Sequence, residues 1–171
     1  MRDNLALSSD GRTVSRRHYY EGNDWGNIYW NKALEHCKVK ITFKIDKVSG
    51  EGIVIGIIPS TGSRNVYSCL NSNSFSTLWS WTYRGRMHFP GHRQEYMANW
   101  QYTSGDEVSL VIDLFARTMT CLKGGEFIHK FENIAESVLP CVSIEGYNNA
   151  VTIVSVSGLG KGALSGNSMT I

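Results

Sequence analysis

Apolar and polar residues alternate with a period of two along most of the chain, the pattern of half-buried β-strands. Segments 39–46 and 107–114 show it most regularly, because every second side chain in them is apolar. Segment 53–58 is instead apolar on both faces, which predicts a central strand that is buried on either side. Helical periodicity is nearly absent, so the pattern predicts about ten short strands with frequent turns between them.

Glycines mark two of these turns. Gly85 follows the alternating, tryptophan-rich segment 79–83, and the pair Gly124–Gly125 separates segments 118–123 and 126–131. Two residues that tolerate positive φ between two strands predict a tight hairpin. The spacing of strands and turns therefore predicts an antiparallel β-sandwich.

The same pattern predicts one domain and a tail. The sandwich is expected over residues 1–157, with Trp79 and Trp81 on one strand face, where large aromatic rings fill the core. From residue 158 to 171 the chain is rich in Gly and Ser and has little to bury, so this tail is expected to pack on the domain or to stay disordered.

Composition and charge narrow the classes of partner. Seventeen Lys and Arg against fifteen Asp and Glu give the 171-residue chain a net charge of +2, too balanced to favour nucleic acid. No apolar segment approaches the ~20 residues of a membrane span, and the polar N-terminus lacks a signal-peptide core. The four cysteines form no CxxC pair, and Cys121 and Cys141 are expected to be reduced core thiols. Together these features predict a cytoplasmic protein, with the nucleus as the alternative, and no membrane partner.

The residues that common catalytic and metal sites need are missing or badly spaced. Glu107 and Asp113 are the candidates for the carboxylate pair of a glycosidase. The rise of a strand puts them on the order of 20 Å apart, too far to act on the same glycosidic bond. His88 and His92 are four residues apart, but Pro90 between them excludes the helix that would align them. The sequence therefore predicts no enzyme, no cofactor and no metal.

Several short motifs occur in a fixed order through the chain. They are LSSDGRTV at 7–14, WSWTYRGRMH at 79–88, GDEVSLVIDL at 105–114, RTMTCLKGG at 117–125, LPCVS at 139–143 and VTI at 151–153. This series resembles the SPRY (B30.2-type) domain family over roughly residues 5–157. The chain departs from the family pattern at 34–39, at Arg117 and at Cys121, which marks a divergent member.

The resemblance implies a fold and a function. The implied fold is a bent antiparallel β-sandwich, a concanavalin-like jelly roll. Family members mostly bind short peptides or protein surfaces through loops at one edge and are not catalytic. Many serve as substrate-recognition parts of ubiquitin-ligase adaptors and others as chromatin or signalling scaffolds, so ubiquitin-ligase components are candidate partners.

The resemblance also implies a peptide-binding rim made of three segments. Carried onto this chain, its residues are Arg16, His18 and Tyr20, then Tyr67 and Leu70, then Gly146 and Tyr147. Arginine and tyrosine are enriched at binding hot spots, which supports this assignment. The structural alternative for the run that begins at Arg16 is a solvated loop whose arginines keep their charged ends in water.

Two other functions stay open from the sequence alone. The concanavalin-like sandwich is also used by lectins and glucanases, so a carbohydrate-binding or glycan-hydrolysing protein is the alternative from another class. The chain can also be one module of a larger ligase or scaffold.

Overall fold

The computed structural model describes residues 5–17, 26–49, 52–61, 78–90, 95–158 and 169–170. Within these ranges the chain forms fifteen β-strands and one 3₁₀ turn, Ala98–Trp100. The strands are β1 (Leu5–Leu7), β2 (Thr13–Arg16), β3 (Gly26–Trp30), β4 (Leu34–Glu35), β5 (Lys38–Lys47), β6 (Ile53–Pro59), β7 (Trp79–Thr82), β8 (Arg86–His88), β9 (Glu95–Tyr96), β10 (Glu107–Asp113), β11 (Thr118–Lys123), β12 (Glu126–Glu132), β13 (Ser137–Ile144), β14 (Ala150–Gly158) and β15 (Met169–Thr170).

The strands form two sheets. The first has seven strands in the order β1-β2-β14-β5-β10-β11-β12, and the second has the order β15-β3-β13-β6-β7-β8-β9 with β4 also paired to β13. Every pairing among the described strands is antiparallel. The predicted all-β antiparallel sandwich is therefore confirmed. In the predicted tail, β14 extends to Gly158, and Met169 pairs with Trp30 in β3.

The main core lies between the two sheets and follows the alternation of the sequence. The alternating apolar residues of β5 and β10 are buried there, together with Trp79 and Trp81. A second, smaller cluster lies on the other face of the eight-stranded sheet and includes Ile58, Leu139 and Cys141. Strand β6 contributes to both clusters, which confirms that it is buried on both faces.

Both predicted glycine turns are present. Gly124 and Gly125 have φ values of +57° and +89° and join β11 to β12. Gly85 has a φ of +76° between β7 and β8, and a Cβ at this position would lie 2.4 Å from the carbonyl oxygen of Met97. The turn at Gly85 thus needs glycine both for its backbone conformation and for its close packing.

The described cysteines behave as the sequence predicts. Cys121 and Cys141 are buried and neither is in a disulfide, and burial raises the pKa of the Cys121 thiol. Cys37 is free and half-buried, and Cys69 lies outside the described residues. In the part of the chain that the structure describes, no helix is long and apolar enough to span a membrane.

Candidate functional site

Three of the seven predicted site residues lie within the described ranges, and the structure brings them together. These are Arg16, Gly146 and Tyr147. Residues 145–149, here called the rim turn, connect β13 to β14, and β14 pairs with β2, which ends at Arg16. The other four predicted residues, His18, Tyr20, Tyr67 and Leu70, lie outside the described residues.

The backbone of Arg16 anchors the rim turn. Its N–H donates a hydrogen bond to the carbonyl oxygen of Asn149 at 3.0 Å, and its own carbonyl oxygen accepts one from the N–H of Asn148 at 3.2 Å. Sequence reasoning placed Arg16 and the rim turn in one site only through the resemblance. The structure supplies the physical reason, since these bonds continue the pairing of β2 with β14 into the turn.

The side chain of Arg16 corrects one expectation. The sequence places residue 16 in an exposed loop, but Arg16 is the last residue of β2 and is only 4% exposed. One of its guanidinium nitrogens, Nη1, donates a hydrogen bond to the carbonyl oxygen of Ile144 at 3.2 Å. A buried guanidinium must place its donors on acceptors, so the side chain holds the end of β13 where the rim turn begins. Contact between Arg16 and a ligand stays a prediction.

Asn149 is a residue of the site that sequence reasoning missed. It is completely buried, and its Nδ2 donates hydrogen bonds to the carbonyl oxygens of Ser49, at 3.0 Å, and of Glu145. Its Oδ1 accepts one hydrogen bond from the N–H of Ser49 at 2.6 Å and another from the Ser49 hydroxyl at 3.2 Å. The bond to Glu145 fixes the rim turn internally. The three bonds to Ser49 tie the turn to the residues that follow β5.

The only local sign of this role is the Asn-Asn pair at 148–149. Asparagine is favoured in turns because its side chain can bond nearby backbone groups. The main partner, Ser49, is 100 residues away along the chain, and no local pattern predicts that contact.

Tyr147 is the exposed aromatic residue of the rim turn. Its neighbours Gly146 and Asn148 have φ values of +82° and +63°, so the chain reverses sharply around it. Its carbonyl oxygen lies 3.3 Å from the Ser49 hydroxyl, which shares its single proton between this oxygen and Asn149 Oδ1. The N–H of Glu145 donates a hydrogen bond to the carbonyl oxygen of Gly52 at 2.9 Å. The side chain of Tyr147 is 46% exposed. The turn thus presents a partly exposed aromatic ring on a backbone that is held from two other segments.

The titratable residues that the sequence offers for catalysis or metal binding, Glu107, Asp113 and His88, lie in strands β10 and β8. No three His, Cys, Asp or Glu side chains among them are arranged to hold a metal ion. Glu107 and Asp113 occupy opposite ends of β10, and the Asp113 carboxylate binds Lys38 at 2.9 Å, which lowers the pKa of Asp113. His88 is buried, and the loss of hydration, followed by the charge of Arg86, lowers the pKa of its imidazole to about 4.

Comparison with known proteins identifies the fold. No family model matches the sequence, and no curated protein matches it. Among solved structures, the SPRY domain of human HERC1 superposes with a TM-score of 0.68 at 20% identity, covering 91% of this chain and 92% of that one.

Two further solved structures give the same result. A human SPRY domain matches with a TM-score of 0.63 at 14% identity, covering 88% of this chain and 94% of that one. The PSpry domain of TRIM65 matches with a TM-score of 0.63 at 11% identity, covering 89% and 86%. The chain therefore has the SPRY-domain fold, and the resemblance inferred from the ordered motifs is confirmed as a resemblance of fold.

Proposed function

We propose that this protein is a non-catalytic interaction module that binds a short peptide or surface loop of a partner protein on the rim turn. The observation that carries the proposal is Tyr147, an exposed aromatic side chain on a turn fixed by Arg16, Ser49 and Asn149. The SPRY fold supports it, because members of the SPRY family mostly bind short peptides or protein surfaces through edge loops. Solved structures with this fold include domains of HERC1 and TRIM65.

Preorganisation of the turn favours binding. A ligand that meets a flexible loop must order it, and each immobilised side chain costs about 0.5–1.5 kcal/mol of the interaction energy. The backbone of the rim turn is already held by hydrogen bonds at residues 145, 147, 148 and 149. Tyrosine adds a flat, amphipathic surface with few rotatable bonds, which is why it is enriched in binding sites. Binding energy is therefore retained instead of being consumed in ordering the site.

Within this proposal the predicted residues have different roles. Tyr147 contacts the partner, whereas buried Arg16 positions the turn through Ile144 and Asn149. Gly146 stays a predicted contact residue, as do His18, Tyr20, Tyr67 and Leu70, which lie outside the described residues. The partner is a cytoplasmic or nuclear protein, and a substrate-recognition or scaffold role in a ubiquitin-ligase or signalling assembly is the setting we propose.

Affinity purification from cells with quantitative mass spectrometry tests the proposal. The wild-type chain is compared with Tyr147→Ala and with Phe115→Ala, a control on a different turn whose ring is 72% exposed. We expect a set of proteins that is retained by the wild type and by Phe115→Ala and depleted from Tyr147→Ala. Identical sets from all three chains would contradict the rim turn as the binding site.

A further inference from the structure

A second exposed surface lies at the same end of the sandwich as the rim turn. It is formed by the turn between β7 and β8 and by the residues at β9, and it is here called the arginine surface. Its members are Tyr83, Arg84, Arg86, Tyr96 and Met97. The N–H of Met97 donates a hydrogen bond to the carbonyl oxygen of Gly85 at 3.3 Å, and Tyr96 pairs with Arg86 across the two strands. The turn and β9 therefore form one continuous surface.

The arginine surface continues into the rim turn through Gly52. The carbonyl oxygen of Gly52 accepts the hydrogen bond from Glu145, the first residue of the rim turn. Gly52 also lies so close to Tyr83 that a Cβ at residue 52 would overlap the aromatic ring. In the eight-stranded sheet β13 is two strand positions from β7 and four from β9, or about 10 and 19 Å at the usual spacing. An extended peptide spans these distances with about three and six residues.

The side chains of this surface suit a partner that carries negative charge. Arg84 and Arg86 are both exposed. Four ion pairs occur among the described residues, and neither arginine takes part in one. Tyr96 and Met97 lie beside the arginines and are 56% and 49% exposed. Arginine, tyrosine and methionine are enriched in protein interfaces, so the surface combines uncompensated positive charge with contact area for a polypeptide.

Contacts within the turn hold the guanidinium of Arg84 in place. Its Cζ lies 5.4 Å from the centre of the Tyr83 ring, and its Nε donates a hydrogen bond to the Tyr83 hydroxyl at 2.5 Å. Since Nε is used in this bond, the donors on the terminal nitrogens of the fork remain for a carboxylate. Less side-chain freedom is then lost when a ligand binds.

We propose that the arginine surface binds an acidic segment of the same partner that contacts Tyr147. This inference rests on the function proposed above and adds the chemistry of the ligand. Arg84 and Arg86 pair with aspartate or glutamate side chains that lie about three to six residues along the partner from its contact with Tyr147. Because both arginines are exposed, the attraction is screened by salt and acts largely on the rate of association.

Selection from a peptide library tests the composition of the ligand. Random peptides of about twelve residues, long enough to span the surface, are selected on the full chain at about 50 mM salt. The baits are wild type, the double variant Arg84→Gln/Arg86→Gln and the double variant Arg12→Gln/Lys130→Gln. The last is the matched control, because it also removes two exposed positive charges, but on other strands and turns. Clones that no longer bind Tyr147→Ala are the ones that use the rim turn.

We expect these clones to be enriched at least about twofold in Asp and Glu when they are selected on wild type or on the control, and not on Arg84→Gln/Arg86→Gln. A synthetic peptide from one acidic clone should bind Arg84→Gln/Arg86→Gln about tenfold more weakly than wild type at about 50 mM salt. The difference should shrink at about 1 M salt, and the control should bind like wild type.

The outcomes separate this inference from the function on which it rests. Clones that require Tyr147 but lack acidic residues, or that bind Arg84→Gln/Arg86→Gln as tightly as wild type, would overturn the inference and leave the rim turn as the binding site. The absence of any clone that requires Tyr147 would overturn both. If Arg84→Gln/Arg86→Gln weakens binding of a single-stranded oligonucleotide and leaves peptide binding unchanged, the arginines serve nucleic acid, and the inference is likewise overturned.

Discussion

Replacement of Asn149 by alanine should destabilise the protein more than alanine at any other position of the rim turn. The substitution removes four side-chain hydrogen bonds and leaves the carbonyl oxygen of Glu145, in a buried residue, without its Asn149 donor. Ser49 is exposed, so water can replace the bonds on its side. Losing the Asn149 donor to this carbonyl oxygen costs about 1–3 kcal/mol, and the remaining bonds contribute about 1 kcal/mol together with the lost packing, which gives a total of about 3 kcal/mol.

Urea unfolding followed by tryptophan fluorescence measures this change. A loss of about 3 kcal/mol is a large share of the 5–15 kcal/mol by which domains are usually stable, and for a chain of this length it lowers Tm by about 9 °C. Asn149→Asp keeps the volume but removes the Nδ2 donor, so it should destabilise at least as much as Asn149→Ala. Asn148→Gly is the matched control, because Asn148 is exposed and its φ of +63° suits glycine. A loss below about 1 kcal/mol for Asn149→Ala, or a loss for Asn148→Gly as large as for Asn149→Ala, would refute the assignment of Asn149 as the anchor of the turn.

Two further predictions concern the rest of the sandwich. Burial and the charge of Arg86 lower the pKa of His88 from 6.5 to about 4. As pH falls, the His88 imidazole is therefore protonated at a higher pH in the unfolded chain than in the folded one. The contribution of neutral His88 to the free energy of unfolding is fully present above pH 6.5. Between pH 6.5 and 4 it is lost, by about 3 kcal/mol in total. Unfolding of wild type and His88→Asn at pH 7 and pH 4.5 checks this, and equal pH dependence in both would contradict it. Gly85→Ala, whose Cβ would meet the Met97 carbonyl oxygen, should lower the free energy of unfolding by at least ~3 kcal/mol. Gly105→Ala is the control, because Gly105 also has a positive φ but has open space around it, and it should cost about 1 kcal/mol. Equal losses of stability in thermal unfolding would remove the steric explanation.

Period-two alternation was sufficient to predict the strands that form the centre of the sandwich. In β5 and β10 the apolar residues face the core, and a shift of one residue would expose all of them, so the pattern determines both the strand and its face. The hairpin at Gly124–Gly125 was equally predictable, because positive φ at two successive residues is a local requirement.

Long-range contacts could not be predicted in this way. Residues 16–20 include no aliphatic side chain, which suggested a loop. The guanidinium of Arg16 is nevertheless buried and donates a hydrogen bond to the carbonyl oxygen of Ile144, 128 residues away. Asn149 and Ser49 present the same difficulty. Both contacts depend on the pairing of β14 with β2 and β5, which places segments from opposite ends of the chain side by side. The resemblance to SPRY domains placed Gly146 and Tyr147 in the predicted site. It did not indicate the long-range hydrogen bonds that hold the turn in place.

The most direct test of the rim turn as the binding site is the affinity of a selected peptide for matched variants. A peptide isolated from a display library on the wild-type chain is titrated by calorimetry against wild type, Tyr147→Ala and Phe115→Ala. We predict that Tyr147→Ala weakens binding about thirtyfold, the effect of removing one hot-spot tyrosine, while Phe115→Ala leaves Kd unchanged. An unchanged Kd for Tyr147→Ala in a correctly folded chain would contradict the central claim.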